Sequence, residues 1–334
     1  MFKNEFFHSA FNKENKGRRS SMGNKNVYTK SYISRNEHFA DLCNYLLFDG
    51  RQVIRPDDLT ERDVTEKGII FTEKGSQTVE KIRDLLKRCI IKSTDKATYL
   101  LIGIENQSDI HYAMPVRNLV LDALNYASQA DTLAQKHRKE KDLKGAEFLS
   151  GFAKDDKLLP VITITLYWKA GAWDGPRSLH EMLEVQEPEL LKFVPDYKMN
   201  MVVPEEIDDF DKFSTELGAV LRYCQCSGDK EKLKELVEEN KDSGFYLGRE
   251  AVQVLNECVN AGLKEPEKEG DVVDVCKAVE GLVAESQAKG REEGGIIMLA
   301  TLVKDGTITI HAAAEKAKMS EEEFAKLMEQ GYED

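Results

Sequence analysis

Two apolar segments separated by four polar residues constrain what this chain can fold into more than any other feature. Residues 81–92 read KIRDLLKRCIIK and residues 97–107 read ATYLLIGIENQ. Both are rich in Ile and Leu, and Ser93-Thr94-Asp95-Lys96 between them is turn chemistry, so an antiparallel strand pair is expected. A tight two-residue loop at Thr94-Asp95 would set Ser93 opposite Lys96. Counting back from that turn puts Asp84 directly across from Glu105, with Cβ atoms about 4.5–5.5 Å apart. Gln107, two residues beyond Glu105, points to the same face. The arrangement hangs on the turn, because a one-residue slip would send the two acids to opposite faces.

Adjacent carboxylates on a mostly buried strand repel, so one must hold a proton or a cation must sit between them. Oxygen donors at this spacing suit Mg²⁺, with Mn²⁺ able to substitute. The backbone carbonyl of Asn106 is a candidate third donor. Such an ion reverses the repulsion that two bare acids would exert on a phosphodiester, and it activates water. An amide does not titrate, so Gln107 can orient water or hold a phosphate oxygen but cannot act as a base. Against this stands the plainer reading that acids at strand ends simply face water.

The rest of the chain supplies a setting. Residues 1–30 are polar and weakly patterned and are expected to form a flexible arm, with Met22 as plausible a start as Met1. Asn36 can cap a helix in which Phe39, Leu42, Cys43, Leu46 and Leu47 share a face; Asp49-Gly50 stops it. Residues 51–63 are mixed and polar, and a short strand is expected at 69–72. Pro115 opens a long helix to about residue 139, with Val116, Leu119, Val120, Ala123, Leu124 and Ala127 as its expected buried stripe. Residues 158–168, LLPVITITLYW, read as a further strand. The order is α, β, β, β, α, β. Trp173-Asp174-Gly175-Pro176 reads as a turn with Trp173 on the core.

From residue 213 the pattern is helical, with segments expected at 215–224, 230–239, 248–261, 272–289, 296–304, 308–318 and 321–329. Pro204 and an acidic run interrupt the pattern before that. The expected division is therefore an arm (1–30), an α/β domain (31–198), an acidic linker (199–212) and a helical region (213–334). The last two helices have helix-turn-helix spacing, yet the second begins Glu321-Glu322-Glu323, a poor face for a major groove. A packing or oligomerisation element fits them better.

Charge weakens a nucleic-acid reading without excluding it. Sixty acidic against 47 basic residues leave a net charge of −13, and polynucleotide binding rests on cations. Two stretches lean basic: the first fifty residues, and the set Lys81, Arg83, Lys87, Arg88 and Lys92, which leaves room for a local basic groove. Nothing approaches the roughly 18 apolar residues of a membrane span, and charges break the N-terminal apolar patches, unlike a signal peptide. A cytoplasmic protein is expected. Of the six cysteines only Cys224 and Cys226 are close in sequence, and no further Cys or His nearby completes a zinc set. No small-molecule cofactor is implied.

Residues 38–183 resemble the recombination-promoting nuclease (Rpn) family, also known as YhgA-like transposases, within the PD-(D/E)xK nuclease superfamily. The segments that carry the likeness are HFADLCNYLLFDG (38–50), RDLLKRCIIK (83–92), YLLIGIENQSDIHYAMPVRNLVLDALNYASQ (99–129) and WDGPRSLHEML (173–183). IENQS with the following AMPVR is the specific part. The resemblance implies an α-β-β-β-α-β core of the restriction-endonuclease kind. It also implies a Mg²⁺-dependent DNA endonuclease serving recombination or DNA mobility, with Asp84 as first acid, Glu105 as second and Gln107 in the place of the usual Lys. An acid of the first helix sometimes joins such sites, Asp41 matching better than Glu37. Arg117, at a helix start, suits a phosphate, and His111 lies near enough to touch a leaving group; a surface arginine and a structural loop histidine are the plainer readings. A homodimer would suit double-strand cleavage. The rival expectations are a catalytically silent DNA- or protein-binding module on a nuclease fold, and an RNA-directed nuclease acting as a toxin or in phage defence.

Overall fold

The two Ile/Leu segments do pair. In a computed structural model describing residues 19–72, 75–92, 97–268 and 270–329, β4 (Leu85–Lys92) runs antiparallel to β5 (Ala97–Gln107), from Leu85 opposite Ile104 to Lys92 opposite Ala97. This is the register deduced from the tight turn; the turn itself, 93–96, lies outside the described residues. The segment 81–92 is not one strand, however. Residues Gly75–Ile82 form β3, which pairs with β2 (Thr65–Thr72) as a separate two-stranded hairpin, and the chain breaks at Arg83-Asp84 before β4. The strand expected at 69–72 thus belongs to this hairpin. The strand beside β4 is β1 (Leu59–Glu61), from a stretch whose polar mixture gives no strand signal.

The main sheet has five strands in the order β1-β4-β5-β6-β7. β6 (Val161–Tyr167) lies parallel to β5, and β7 (Asn200–Val202) parallel to β6. Between β5 and β6 runs the long helix α3 (Met114–Glu140), as Pro115 in its first turn foretells. The fold is mixed α/β, with helices on both faces of a mixed sheet.

The two faces differ in chemistry. On one, Ile102, Ile104, Ile164 and Leu166 meet Phe39, Leu42 and Cys43 of α2 (Asn36–Phe48) in one apolar core. That core continues into α4 (Glu216–Cys226), α5 (Lys230–Glu239), α6 (Arg249–Val259) and the start of α7 (Val275–Lys304). All six cysteines are free and buried. On the other face α3 lays down Met114, Asn118, Leu121, Asp122 and Asn125. The expected stripe is therefore wrong: Val116 is exposed, as are Ala123 and Ala127, while Leu119, Val120 and Leu124 are only partly covered. The reason is the sheet surface beneath, which offers Gly103, Glu105, Thr163 and Thr165 rather than apolar side chains.

Two further expectations are corrected. Residues 19–30 are not part of an arm: α1 (Arg19–Ser34) is a helix that packs beside α6, with Tyr32 and Ile33 fully buried and Arg35 paired to Glu250 at 3.1 Å, while residues 1–18 lie outside the described residues. Residues 199–212 do not behave as a linker, since they contain β7 and two short helical turns. At the end of α2, Asp49 and Gly50 take positive φ of 55° and 79°, and a Cβ on Gly50 would stand 2.8 Å from that of Lys212. Helices α8 (Ile310–Ala317) and α9 (Glu321–Glu329) make a separate small core with the end of α7, through Ala300, Ala313, Ala314 and Phe324. No described helix is long and apolar enough to cross a membrane.

Asp41, in α2, is buried and fastens these parts together. Its two carboxylate oxygens accept from the backbone N–H and hydroxyl of Ser214 and of Thr215, at 2.6–2.9 Å. Asp41→Ala would remove all four of these bonds and loosen the start of α4. It is expected to lower unfolding free energy by about 2–3 kcal/mol in urea denaturation.

Candidate functional site

The site forms where β4 begins. Asp84 precedes the first paired residue of β4, and its carboxylate accepts from the Asn106 N–H at 2.8 Å. Glu105 answers through one oxygen, Oε1, which accepts from the Asp84 N–H at 3.3 Å. Each acid is thus clasped by the backbone of the opposite strand. The Glu105 side chain has no exposed surface, whereas Asp84 is only partly buried. The other Glu105 oxygen, Oε2, receives Nε and Nη2 of Arg117 at 3.1 and 3.0 Å. Gln107 follows on the same face, half-buried, with no described residue bonded to its amide. N–H and C=O of a strand residue leave on the same side. The Asn106 carbonyl therefore leaves on the β4 side of β5, while the Asn106 side chain points away and accepts from Trp168 Nε1 at 3.0 Å.

Burial and the neighbouring Asp84 push the Glu105 carboxyl up to about 7, against the pull of Arg117. Burial likewise raises Asp84, opposed by the Asn106 N–H, Arg117 and Lys30. The pair is therefore reluctant to carry two charges. The donor set suits a hard divalent cation: two carboxylates facing each other, a backbone carbonyl beside them, and a cationic side chain already drawn to one of the acids.

Behind the acids lies a network of buried polar groups not foreseen from sequence. Arg83 is fully buried and passes beneath β5 at Gly103. Its Nη2 donates to Asp122 at 2.7 Å and Nη1 to Thr163 at 2.5 Å. Thr163 and Tyr197 hydroxyls also donate to Asp122, both at 2.6 Å. The adjoining Asn118 donates to Thr165 at 2.9 Å. A signal was present: Asn118, Asp122 and Asn125 recur at helical spacing, a polar stripe as regular as the apolar one. Lys30 is the other omission. It sits on α1 where an arm was expected, and its charge reaches Asp84.

Other expectations are corrected here. Arg83 and Lys87 do not contribute to an exposed basic groove. Lys87 is buried on the α2 side, where Nζ donates to the Ser34 carbonyl and Asn36 Oδ1, both at 2.5 Å, beside the Phe39 ring. Asn36 accordingly serves as a bridge to Lys87 and the Pro56 carbonyl, not as a helix cap. Arg88 lies over the Tyr99 ring; the side chains of Lys81 and Lys92 fall outside the described residues. Asp41 is not part of the acid pair, and His111 is exposed with no bond to it. Arg117 is the auxiliary residue the fold does bring in. Trp173 is buried, edge-on to Tyr167 at 5.4 Å. Among the described residues His137, Glu140 and Asp142 also come close together. There Asp142 and Asp156 already engage both nitrogens of the His137 ring at 2.9 Å.

Two measurements test this geometry. A Cβ on Gly103 would lie 2.7 Å from Arg83 Nη1, which Asp122 and Thr163 pin, so Gly103→Ala is expected to cost about 1–3 kcal/mol of stability. Glu105 is held above its ordinary 4.5, so between about 4.5 and 7 the folded chain binds more protons than the unfolded one and stability falls as pH rises. Subtracting Glu105→Gln curves from wild-type unfolding curves across pH 4–8 should isolate that fall; a flat difference would refute the shift. Neither a family model, nor a curated protein, nor a solved structure matches this chain.

Proposed function

We propose that this chain is a metal-dependent nuclease that hydrolyses DNA phosphodiester bonds, built on a core of the PD-(D/E)xK kind and related to the Rpn nucleases. The observation that carries the reading is the facing pair Asp84 and Glu105, clasped by the N–H groups of Asn106 and Asp84, with Gln107 on the same face. The element order supports it. Apart from the inserted β2–β3 hairpin, the chain runs through α2, β1, β4, β5, α3 and β6 in that order, with the acids just before β4 and on β5.

In this reading Asp84, Glu105 and the Asn106 carbonyl would hold Mg²⁺, for which Mn²⁺ could stand in. When bound, the ion supplies Lewis acidity toward the scissile phosphate and a nucleophile at neutral pH. A cation held there would relieve the repulsion that makes the pair reluctant to carry two charges. Gln107 orients the attacking water or a phosphate oxygen through its amide. Arg83, through Asp122 and Thr163, holds the chain at the break that presents Asp84. Lys30 and Arg117 supply positive charge at the entrance, and they matter more in a chain whose net charge opposes polynucleotides.

Incubation of the full chain with plasmid DNA and with structured RNA, each with and without Mg²⁺, tests the reading. Metal-dependent nicking or linearisation of DNA is expected. Asp84→Ala and Glu105→Ala should each remove it, by at least about a hundredfold, while circular dichroism stays unchanged. Gln107→Lys should retain cleavage and Gln107→Leu should not. Undiminished cleavage in either acid variant sinks the site. Cleavage of RNA alone would move the substrate class, and no cleavage with no Mn²⁺ uptake would favour a silent binding module.

A further inference from the structure

We infer that Arg117 is a stand-in for the metal: it occupies the Glu105 carboxylate until a divalent cation displaces it, and only then is it released to grip a substrate phosphate. The inference rests on the proposed metal site and deepens it by coupling metal loading to polynucleotide binding.

The geometry is specific. Glu105 has two oxygens, and the inner one is taken by the Asp84 N–H. The outer one is taken by Arg117 alone among the described residues, through two nitrogens at 3.0 and 3.1 Å. A divalent ion on that oxygen would stand within a few ångströms of the guanidinium, and the two positive groups repel. One must leave. Arg117 is the group able to do so, because its side chain is 40% exposed while Glu105 has no exposed surface. The contrast with Arg83 is instructive. That guanidinium is fully buried and bound to Asp122 and Thr163, so it cannot swing out.

The released group has a use. A planar guanidinium binds phosphate with two parallel N–H donors, and Arg117 is rooted in the first turn of α3, close to the acids. In the closed arrangement its donors are spent on Glu105, so the metal-free protein lacks its best phosphate ligand. Metal and polynucleotide should therefore bind with positive coupling, and linkage makes the coupling reciprocal.

Calorimetric titration of MnCl₂ into the full chain, without nucleic acid and near pH 8 where protons compete least, tests the first half. Arg117→Ala and Arg117→Gln should bind Mn²⁺ about tenfold more tightly than wild type, the competing pair having been removed; Glu105→Gln should bind far more weakly. Equal or weaker binding by both Arg117 variants overturns the inference while leaving the metal site standing. Absence of Mn²⁺ uptake by wild type and both Arg117 variants overturns the site and the inference with it. Fluorescence anisotropy with a labelled oligonucleotide tests the second half. Ca²⁺, used as a cation for binding, should tighten the wild-type complex clearly and the Arg117→Ala complex little. Equal tightening in both would show that the freed arginine does not reach phosphate.

Discussion

The pairing register of β4 against β5 is the constraint on which the rest depends. Side chains alternate across a strand, so a shift by one residue would turn Asp84 and Glu105 to opposite faces and also turn Ile102 and Ile104 out of the core. The apolar face therefore enforces the polar one. Burying Ile102, Ile104, Ile164 and Leu166 against α2 is what the hydrophobic effect favours. The two acids are carried to the other face together as a consequence.

That face is costly. Two carboxylates beside each other and a buried guanidinium are unfavourable unless each finds a partner. The structure supplies partners from several elements at once: backbone N–H groups for both acids, Arg117 for the outer oxygen of Glu105, and Asp122, Thr163 and Tyr197 around Arg83. Buried ion pairs of this kind add little net stability compared with well-packed apolar groups. Here they hold the chain break at Arg83-Asp84 and leave one acid bound by a side chain that solvent can reach. Gly103 is part of the same arrangement, because only a residue without Cβ lets Arg83 pass beneath β5.

The helices beyond residue 213 are not an appendage to the sheet. α4 and α6 complete the apolar core above α2, and Asp41 ties the start of α4 to that helix. The same packing orders α1 against α6, which brings Lys30 within electrostatic reach of Asp84. The end of α7 with α8 and α9 stands on its own small core.

The strand pair, its register, the extent of α3, the stop at Asp49-Gly50 and most later helices were legible in the sequence. Each is set by local chemistry: Ile/Leu runs around a turn, Pro in a first turn, apolar spacing. The juxtaposition of Asp84, Glu105 and Gln107 was legible for the same reason, since it follows from counting along two neighbouring strands. Several features were decided only by tertiary structure. α1 is ordered by a partner far along the chain, β1 by the strand beside it, and the buried face of α3 by the polar sheet surface it meets. Arg83 and Lys87 look in sequence like surface cations. They are buried because Asp122, Thr163, Ser34 and Asn36, all distant in sequence, come to meet them. The hold of Arg117 on Glu105 belongs to the same class, for a helix and a strand fix that distance only when both pack on one sheet.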